Sequence, residues 1–208
     1  MNKEEKVNQI LKRLYLAYPK PKTALIYKTP WELLVATILS AQATDKVVNT
    51  VTPALFKKYQ SIKSFAQSKL SELDKDISRV NFHSNKAKSI QGAAKMILEK
   101  YKGKVPDNME DLDLLPGVAR KTANVVLGNA YGKNEGIVVD THVIRLSQKL
   151  GLTSQKDPVK IEADLMKIVP RNKWRDFSHL LINFGREYCP ARPHKCISCP
   201  LGDLCPDL

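Results

Sequence analysis

The segment from Leu115 to Ala123, which reads LPGVARKTA, constrains the fold of this chain more than any other stretch. Pro116 fixes its own φ and Gly117 can adopt a positive φ, so the segment predicts a tight turn. Apolar residues then recur with the spacing of an amphipathic helix, at Ala123, Val126, Leu127, Ala130 and Tyr131. The glycine turn therefore places Lys121 on the first turn of a helix. The free backbone N–H groups there would attract a phosphate, as would the positive end of the helix dipole.

The rest of the chain also predicts helices, and we assign it to the all-α class. Thr29-Pro30-Trp31-Glu32 has the pattern of a capping box, and Asp157-Pro158 opens another helix. The only strand-like run near the motifs, Ile137-Val138-Val139, is too short to build a sheet. Buried helix faces are predicted at Val7, Ile10, Leu11 and Leu14; at Trp31, Leu34, Val35, Ile38 and Leu39; at Ala87, Ile90, Ala94, Ile97 and Tyr101; at Ile161, Leu165 and Ile168; and at Trp174, Phe177, Leu181 and Phe184.

The charge balance points to a polyanionic partner. The 34 Lys and Arg residues against 21 Asp and Glu give a net charge of +13, which suits nucleic acid or an acidic membrane surface. A generally lysine-rich proteome would give the same excess. No apolar run approaches the ~20 residues that span a membrane, and the charged N-terminal stripe does not resemble a signal peptide. We therefore expect a cytoplasmic protein.

All four cysteines fall near the C-terminus, in a C-x6-C-x2-C-x5-C pattern formed by Cys189, Cys196, Cys199 and Cys205. Disulfides are disfavoured in a cytoplasmic chain, so the cluster suggests a metal site. Spacing alone leaves zinc and an iron–sulfur cluster about equally favoured. Zinc sites usually pair two Cys-x-x-Cys knuckles, whereas only one such knuckle occurs here.

The chain resembles the endonuclease III family of DNA-repair glycosylases with AP lyase activity. Three motifs occur in that family's order: the segment 40–45, which reads SAQATD; the hairpin with Lys121 followed by Asp140 in the run VDTH; and the cysteine set. The resemblance extends from Trp31 to Cys205. Ala119 stands where the family's hairpin most often has a second glycine, which affects how closely a phosphate approaches.

The resemblance implies two helical domains with DNA bound in the cleft between them. A six-helix domain, residues 24–133, would carry the helix-hairpin-helix motif, including Gly117, Ala119 and Arg120 as DNA contacts. Residues 1–23 and 134–208 would form the second domain. There the four cysteines would hold a structural [4Fe–4S] cluster, in a loop whose Arg192 and Lys195 would contact phosphates.

The resemblance also assigns the chemistry. Lys121, as a neutral amine, would attack C1′ of the damaged nucleotide, expel the base and form a Schiff base. Asp140 would stabilise the positive charge that grows as the glycosidic bond breaks. Lysines are most often solvated charges, and an aspartate here is most often a helix N-cap. Capping is compatible with catalysis, because it keeps the carboxylate ionised.

A base in a duplex must be flipped out before an enzyme can reach it. By resemblance, Gln42 would fill the vacated space, Phe82 or His83 would wedge the opposite strand, and Asp45 would face the lesion base. The structural alternatives are helix-end capping for Gln42 and Asp45 and a core position for Phe82. His142 is expected to be a structural hydrogen-bond partner.

The predicted function is a monomeric, nucleoid-associated glycosylase and AP lyase that acts on oxidised pyrimidines in damaged duplex DNA. The related mismatch adenine glycosylases lack the lysine, and mismatch thymine glycosylases have tyrosine at the position of Lys121. A non-catalytic DNA-binding module would need neither Lys121 nor Asp140. A ferredoxin-like electron carrier fits neither the long helical region nor a single terminal cluster.

Overall fold

The computed structural model describes residues 1–194, 196 and 198–206, and within these ranges it confirms the all-α prediction. No β-strand occurs among these residues. Two short 3₁₀ segments, Arg171–Lys173 and Gly202–Leu204, accompany the α-helices. The helices are α1 (Lys3–Ala17), α2 (Pro30–Ser40), α3 (Asp45–Lys58), α4 (Ile62–Ala66), α5 (Leu70–Asp76), α6 (His83–Lys100), α7 (Met109–Asp113), α8 (Arg120–Ala130), α9 (Thr141–Lys149), α10 (Pro158–Ile168) and α11 (Trp174–Glu187).

The chain divides into two compact units. One is Thr23–Lys133, and the other joins Met1–Lys22 to the chain from Asn134 onward. Each unit has a hydrophobic core of its own. None of the helices in the described ranges is long and apolar enough to cross a membrane.

Helix α2 is the centre of the unit 23–133. The sequence predicts one buried face, but every residue from Trp31 to Leu39 except Glu32 is buried. The reason is that α3, α6 and α8 all pack against this helix, so it has no solvent face left. The unit contains seven helical segments, whereas the resemblance implied a six-helix domain. Two of the seven, α4 and α7, have only five residues each and are too short to show a helical period in the sequence.

Both ends of α2 are closed by specific hydrogen bonds. At its start, the Thr29 side chain accepts from the Glu32 N–H at 3.2 Å, as predicted. The reciprocal bond differs from a standard capping box, because the Glu32 carboxylate accepts from the Lys28 N–H at 2.6 Å. At the other end, the buried ammonium of Lys86 donates to the carbonyls of Leu39 and Ala41, at 2.8 and 2.6 Å. Burial lowers the pKa of Lys86.

The other unit is built from α1, α9, α10 and α11. Helix α11 packs against α1 and α9, and α10 packs against α1. The predicted apolar stripe of α1 is buried. Asp157 caps α10 by accepting from the N–H groups of Val159 and Lys160, both at 3.0 Å. The run Ile137–Val139 leads into α9 without forming a strand.

Candidate functional site

The predicted turn between α7 and α8 is present. The Val118 N–H donates to the Leu115 carbonyl at 3.0 Å, which closes a four-residue turn. Pro116 is the second residue of this turn, and Gly117 is the third, with φ of +76°. This is the residue pattern of a type II turn, which requires a positive φ at its third position.

The turn packs tightly onto α6. A Cβ on Gly117 would lie 2.5 Å from the Cβ of Ser89 and 2.7 Å from its Oγ. A Cβ on Gly92 would lie 3.2 Å from the ring of Pro116. Small residues on α6 therefore let the turn approach its backbone. This contact could not be predicted from the sequence, because both α6 residues lie more than twenty positions before the turn.

Helix α8 begins without a side-chain cap. Its N-cap residue, Ala119, has extended backbone and no side-chain oxygen that could accept from the first N–H groups. Arg120 and Lys121 are the first two helical residues, and both side chains are exposed. The start of α8 thus combines uncapped backbone N–H groups with two cationic residues, an arrangement suited to an anion.

Gln42 lies in the turn between α2 and α3, in the left-handed conformation with φ of 54°. It directly follows Ala41, the C-cap residue of α2. Thr44 caps α3 by accepting from the Val47 N–H at 3.4 Å, and Asp45 is the first helical residue. The N-cap of α3 is therefore Thr44 and not Asp45.

Phe82 also has left-handed backbone, with φ of 57°, and directly precedes α6. Its side chain is 61% exposed, so the alternative that it is a core aromatic is wrong. The next residue is held differently. The His83 Nδ1 lies 2.5 Å from a carboxylate oxygen of Asp74, and this contact lowers the pKa of Asp74.

Asp140 is the N-cap of α9, as predicted from the sequence. Its carboxylate accepts from the Val143 N–H at 2.9 Å. His142 lies against α11, since a Cβ on Gly185 would come within 2.7 Å of the His142 Nδ1. The glycine therefore provides the space that the imidazole occupies.

His179, on α11, is a buried histidine near Asp140 that the sequence did not single out. Its side chain is only 8% exposed. Burial lowers the pKa of His179 to about 4, and the charge of Arg175 lowers it further. The carboxylates of Asp176 and Asp140 act in the opposite direction. The imidazole is therefore neutral at physiological pH.

All four cysteines are free, and they line one small pocket with apolar neighbours. Burial raises the pKa of Cys199, and the charges of the other three cysteines act in the same direction. Within the described ranges, no three His, Cys, Asp or Glu side chains form a group that could hold a metal ion. The apolar residues of the pocket are Leu146, Leu150, Phe184 and Leu201.

Arg145 binds the first cysteine of the set, a contact that sequence reasoning missed. Its Nη2 donates to the carbonyl of Cys189 at 2.6 Å, and its Nη1 lies 3.5 Å from the Cys189 Sγ. Arg192, the predicted phosphate contact, is exposed. Its predicted companion Lys195 lies outside the described residues.

Comparison with known proteins identifies relatives over nearly the whole chain. Residues 35–171 match the family model described as HhH-GPD superfamily base excision DNA repair protein. Endonuclease III of Synechocystis sp. is 51% identical over 205 residues, which cover 99% of this chain and 94% of that protein.

Solved structures of related proteins also match over nearly the whole chain. A trapped endonuclease III–DNA covalent intermediate, an estranged-adenine complex, superposes with a TM-score of 0.93 at 41% identity, covering 100% of this chain and 97% of that one. A thermostable thymine-DNA glycosylase gives a TM-score of 0.84 at 25% identity, covering 98% and 95%.

Replacing Gly117 by Ala should destabilise the protein more than replacing Gly132 by Ala. Both glycines have positive φ, +76° and +67°, so each substitution costs about 1–2 kcal/mol of backbone strain. A Cβ on Gly132 meets nothing within 4 Å, whereas one on Gly117 collides with Ser89 and should add about 1–3 kcal/mol. Urea titration of both variants gives the two free energies of unfolding. Equal losses would show that α6 yields to the turn freely.

Acid should destabilise the folded protein partly through His179. Its folded pKa of about 4 lies below the ordinary value of 6.5, so the unfolded chain binds the proton first as the pH falls. Stability is complete above pH 6.5 and decreases toward pH 4. From pH 7 to 5 the loss from this residue should be about 2 kcal/mol. His179→Gln should remove that part of the slope in urea titrations, and NMR should find the imidazole still neutral at pH 5. An imidazole that titrates near 6.5 would contradict this.

Proposed function

Since the chain belongs to the endonuclease III family, within the HhH-GPD superfamily of base excision DNA repair proteins, we propose that it is a DNA glycosylase with AP lyase activity. It removes oxidised pyrimidines from duplex DNA and then nicks the strand on the 3′ side of the abasic site by β-elimination. The observation that carries this proposal is Lys121, exposed on the first turn of the uncapped helix α8.

Lys121 is the nucleophile in this proposal. Its neutral amine attacks C1′ of the damaged nucleotide, the glycosidic bond breaks, and the base leaves with the electron pair of that bond. The sugar ring opens to give an imine between Nζ and C1′. Loss of the C2′ proton then expels the 3′ phosphate, which nicks the strand.

Asp140 is the electrostatic partner of this reaction. The positive charge that develops on the sugar as the glycosidic bond breaks needs a fixed anion nearby. The hydrogen bond from the Val143 N–H holds the Asp140 carboxylate in place at the start of α9. The departing base can take up the proton that the attacking amine must lose.

The DNA contacts follow from the unit 23–133. The N–H groups at the start of α8, with Gly117, Ala119 and Arg120, bind a backbone phosphate. Gln42 fills the space that the flipped nucleotide leaves, and Asp45 faces the lesion base.

Phe82, not His83, is the wedge in the opposite strand. Phe82 is an exposed aromatic side chain, whereas the His83 imidazole is held by Asp74. In the C-terminal region, Arg192 and Lys195 bind further phosphates.

The four cysteines hold a [4Fe–4S] cluster. The support is that all four are free and face one pocket. A cluster is several atoms across, so its thiolates lie farther apart than those that share one zinc ion. When bound, the cluster would cross-link the single stretch from Cys189 to Cys205 that carries all four ligands. Arg145 orients Cys189 in that site through its two contacts.

The alternatives differ at single residues. The fold is shared with a thymine-DNA glycosylase at 25% identity, so the fold alone does not select the reaction. Lys121 favours a lyase over a monofunctional glycosylase. A non-catalytic DNA-binding protein with a structural metal site would bind DNA without forming a covalent adduct. We propose a monomer that acts on the cell's DNA in the cytoplasm, associated with the nucleoid.

Lys121→Gln should abolish covalent trapping by borohydride on an oxidised-pyrimidine duplex. Reduction freezes the imine, and the amide cannot form one, whereas the hairpin N–H groups still bind phosphate. DNA affinity should therefore stay within about twofold of wild type. Lys57→Gln removes one exposed lysine from the same unit and should trap like wild type. Full trapping by the Lys121 variant would identify another amine as the nucleophile.

Asp140→Asn should fold and bind DNA but turn over about 10²–10⁴-fold more slowly, as removal of a key electrostatic group does. The carboxamide oxygen still accepts from the Val143 N–H, so the helix cap is kept and only the charge is lost. Single-turnover rates measure this effect, and unfolding curves check the cap. A wild-type rate would show that Asp140 acts only as the N-cap of α9 and has no part in the reaction.

Protein purified without oxygen should be brown, with broad visible absorption and about four iron atoms per chain. Cys199→Ser removes one ligand and should lower the iron content and the melting temperature together. Ser198→Ala, at the neighbouring position, should leave both unchanged. One zinc and no iron in the anaerobic protein would refute the cluster.

A further inference from the structure

Two exposed side chains of the unit 23–133 are presented by strained backbone. Gln42 and Phe82 both have left-handed φ, at 54° and 57°, although neither is glycine. Such residues persist only where the surrounding structure holds them, and they concentrate at functional sites.

A hydrogen bond ties the two turns together. The Asn81 Nδ2, on the residue before Phe82, donates to the main-chain carbonyl of Gln42 at 2.9 Å. Thirty-nine residues separate the partners in the chain. The bond acts on the backbone of Gln42, so it orients that residue while leaving its side chain exposed.

The buried ammonium of Lys86 ties the same two turns a second time. This residue is on the first turn of α6 and binds the carbonyls of Leu39 and Ala41, the last residues before Gln42. Only 6% of its side chain is exposed. The end of α2 is therefore fixed to the start of α6 by three hydrogen bonds, two from Lys86 and one from Asn81.

We propose that Asn81 is a positioning residue for base flipping. Its hydrogen bond holds the turn at Gln42 and the turn at Phe82 in one rigid arrangement. Neither the damaged base nor the reacting sugar is touched by Asn81 in this proposal. The inference rests on the proposed function, in which Gln42 fills the vacated space and Phe82 wedges the opposite strand. As a consequence, the side chains of Gln42 and Phe82 enter the duplex together.

The test uses a duplex with a tetrahydrofuran abasic analogue and 2-aminopurine opposite it, whose fluorescence rises when that base unstacks. Asn81→Ala should weaken binding about fivefold, the effect of losing one neutral hydrogen bond, and should reduce the fluorescence rise. The control Asn85→Ala removes a different exposed asparagine, which lies on α6, and should match wild type in both binding and fluorescence. Unchanged binding and fluorescence for Asn81→Ala would overturn the proposal.

A double-mutant cycle separates positioning from direct DNA contact. If Asn81 acts through the side chains of Gln42 and Phe82, then Asn81→Ala should have no further effect on DNA binding in a background that carries both Gln42→Ala and Phe82→Ala. Additive effects would mean that Asn81 contacts DNA itself, which would overturn its role as a positioning residue. Trapping on a single-stranded abasic oligonucleotide, which has no gap to fill, should stay within twofold of wild type for Asn81→Ala. An equal loss on single and double strands would indicate only a structural defect.

The fluorescence experiment requires no catalysis. Failure of the wild-type protein to trap abasic DNA would overturn the proposed function, while the fluorescence comparison would still decide the role of Asn81.

Discussion

Helix α2 is buried from Trp31 to Leu39 except at Glu32, so protein groups must satisfy the carbonyl at its buried end. The ammonium of Lys86 does so, and its charge lies at the negative end of the helix dipole. This contact ends α2 at a defined place, and the chain then turns at Gln42. Since α3, α6 and α8 pack on the same helix, its burial also fixes the supports of the hairpin. One buried helix thereby positions both the hairpin and the turn proposed to enter the DNA.

The starts of α8 and α9 use the same backbone feature in opposite ways. Helix α8 follows Ala119, which has no oxygen to offer, so its first N–H groups are left for an external anion. Helix α9 follows Asp140, whose own carboxylate accepts from the Val143 N–H. The first arrangement suits binding of a phosphate, and the second holds a carboxylate in a fixed position. The reaction that we propose needs both functions, which explains why a poor N-cap residue stands before Lys121.

Local features were predicted well from the sequence, since they depend on residues within a turn or two of each other. The helical stripes of α1 and α11, the caps Asp140 and Asp157, and the all-α class are confirmed. Membership of the family, which was predicted from three motifs in a fixed order, is also confirmed. The predictions were wrong where tertiary packing, and not the helical period of the apolar residues, decides the environment of a side chain. Helix α2 has no exposed face, and the Glu32 side chain binds one residue earlier than a capping box requires.

The sequence by itself determined the helical class, the tight turn at Gly117 and the family, because each depends on local conformation or on motif order. Only the tertiary structure decided which distant residues meet. Ser89 under the turn, Asn81 on the Gln42 carbonyl and Arg145 on Cys189 are contacts across 28, 39 and 44 positions. Nothing in the sequence distinguishes Lys86 from the many solvated lysines of a basic chain. Its role follows from burial against two carbonyls, a property that exists only once the helices have packed.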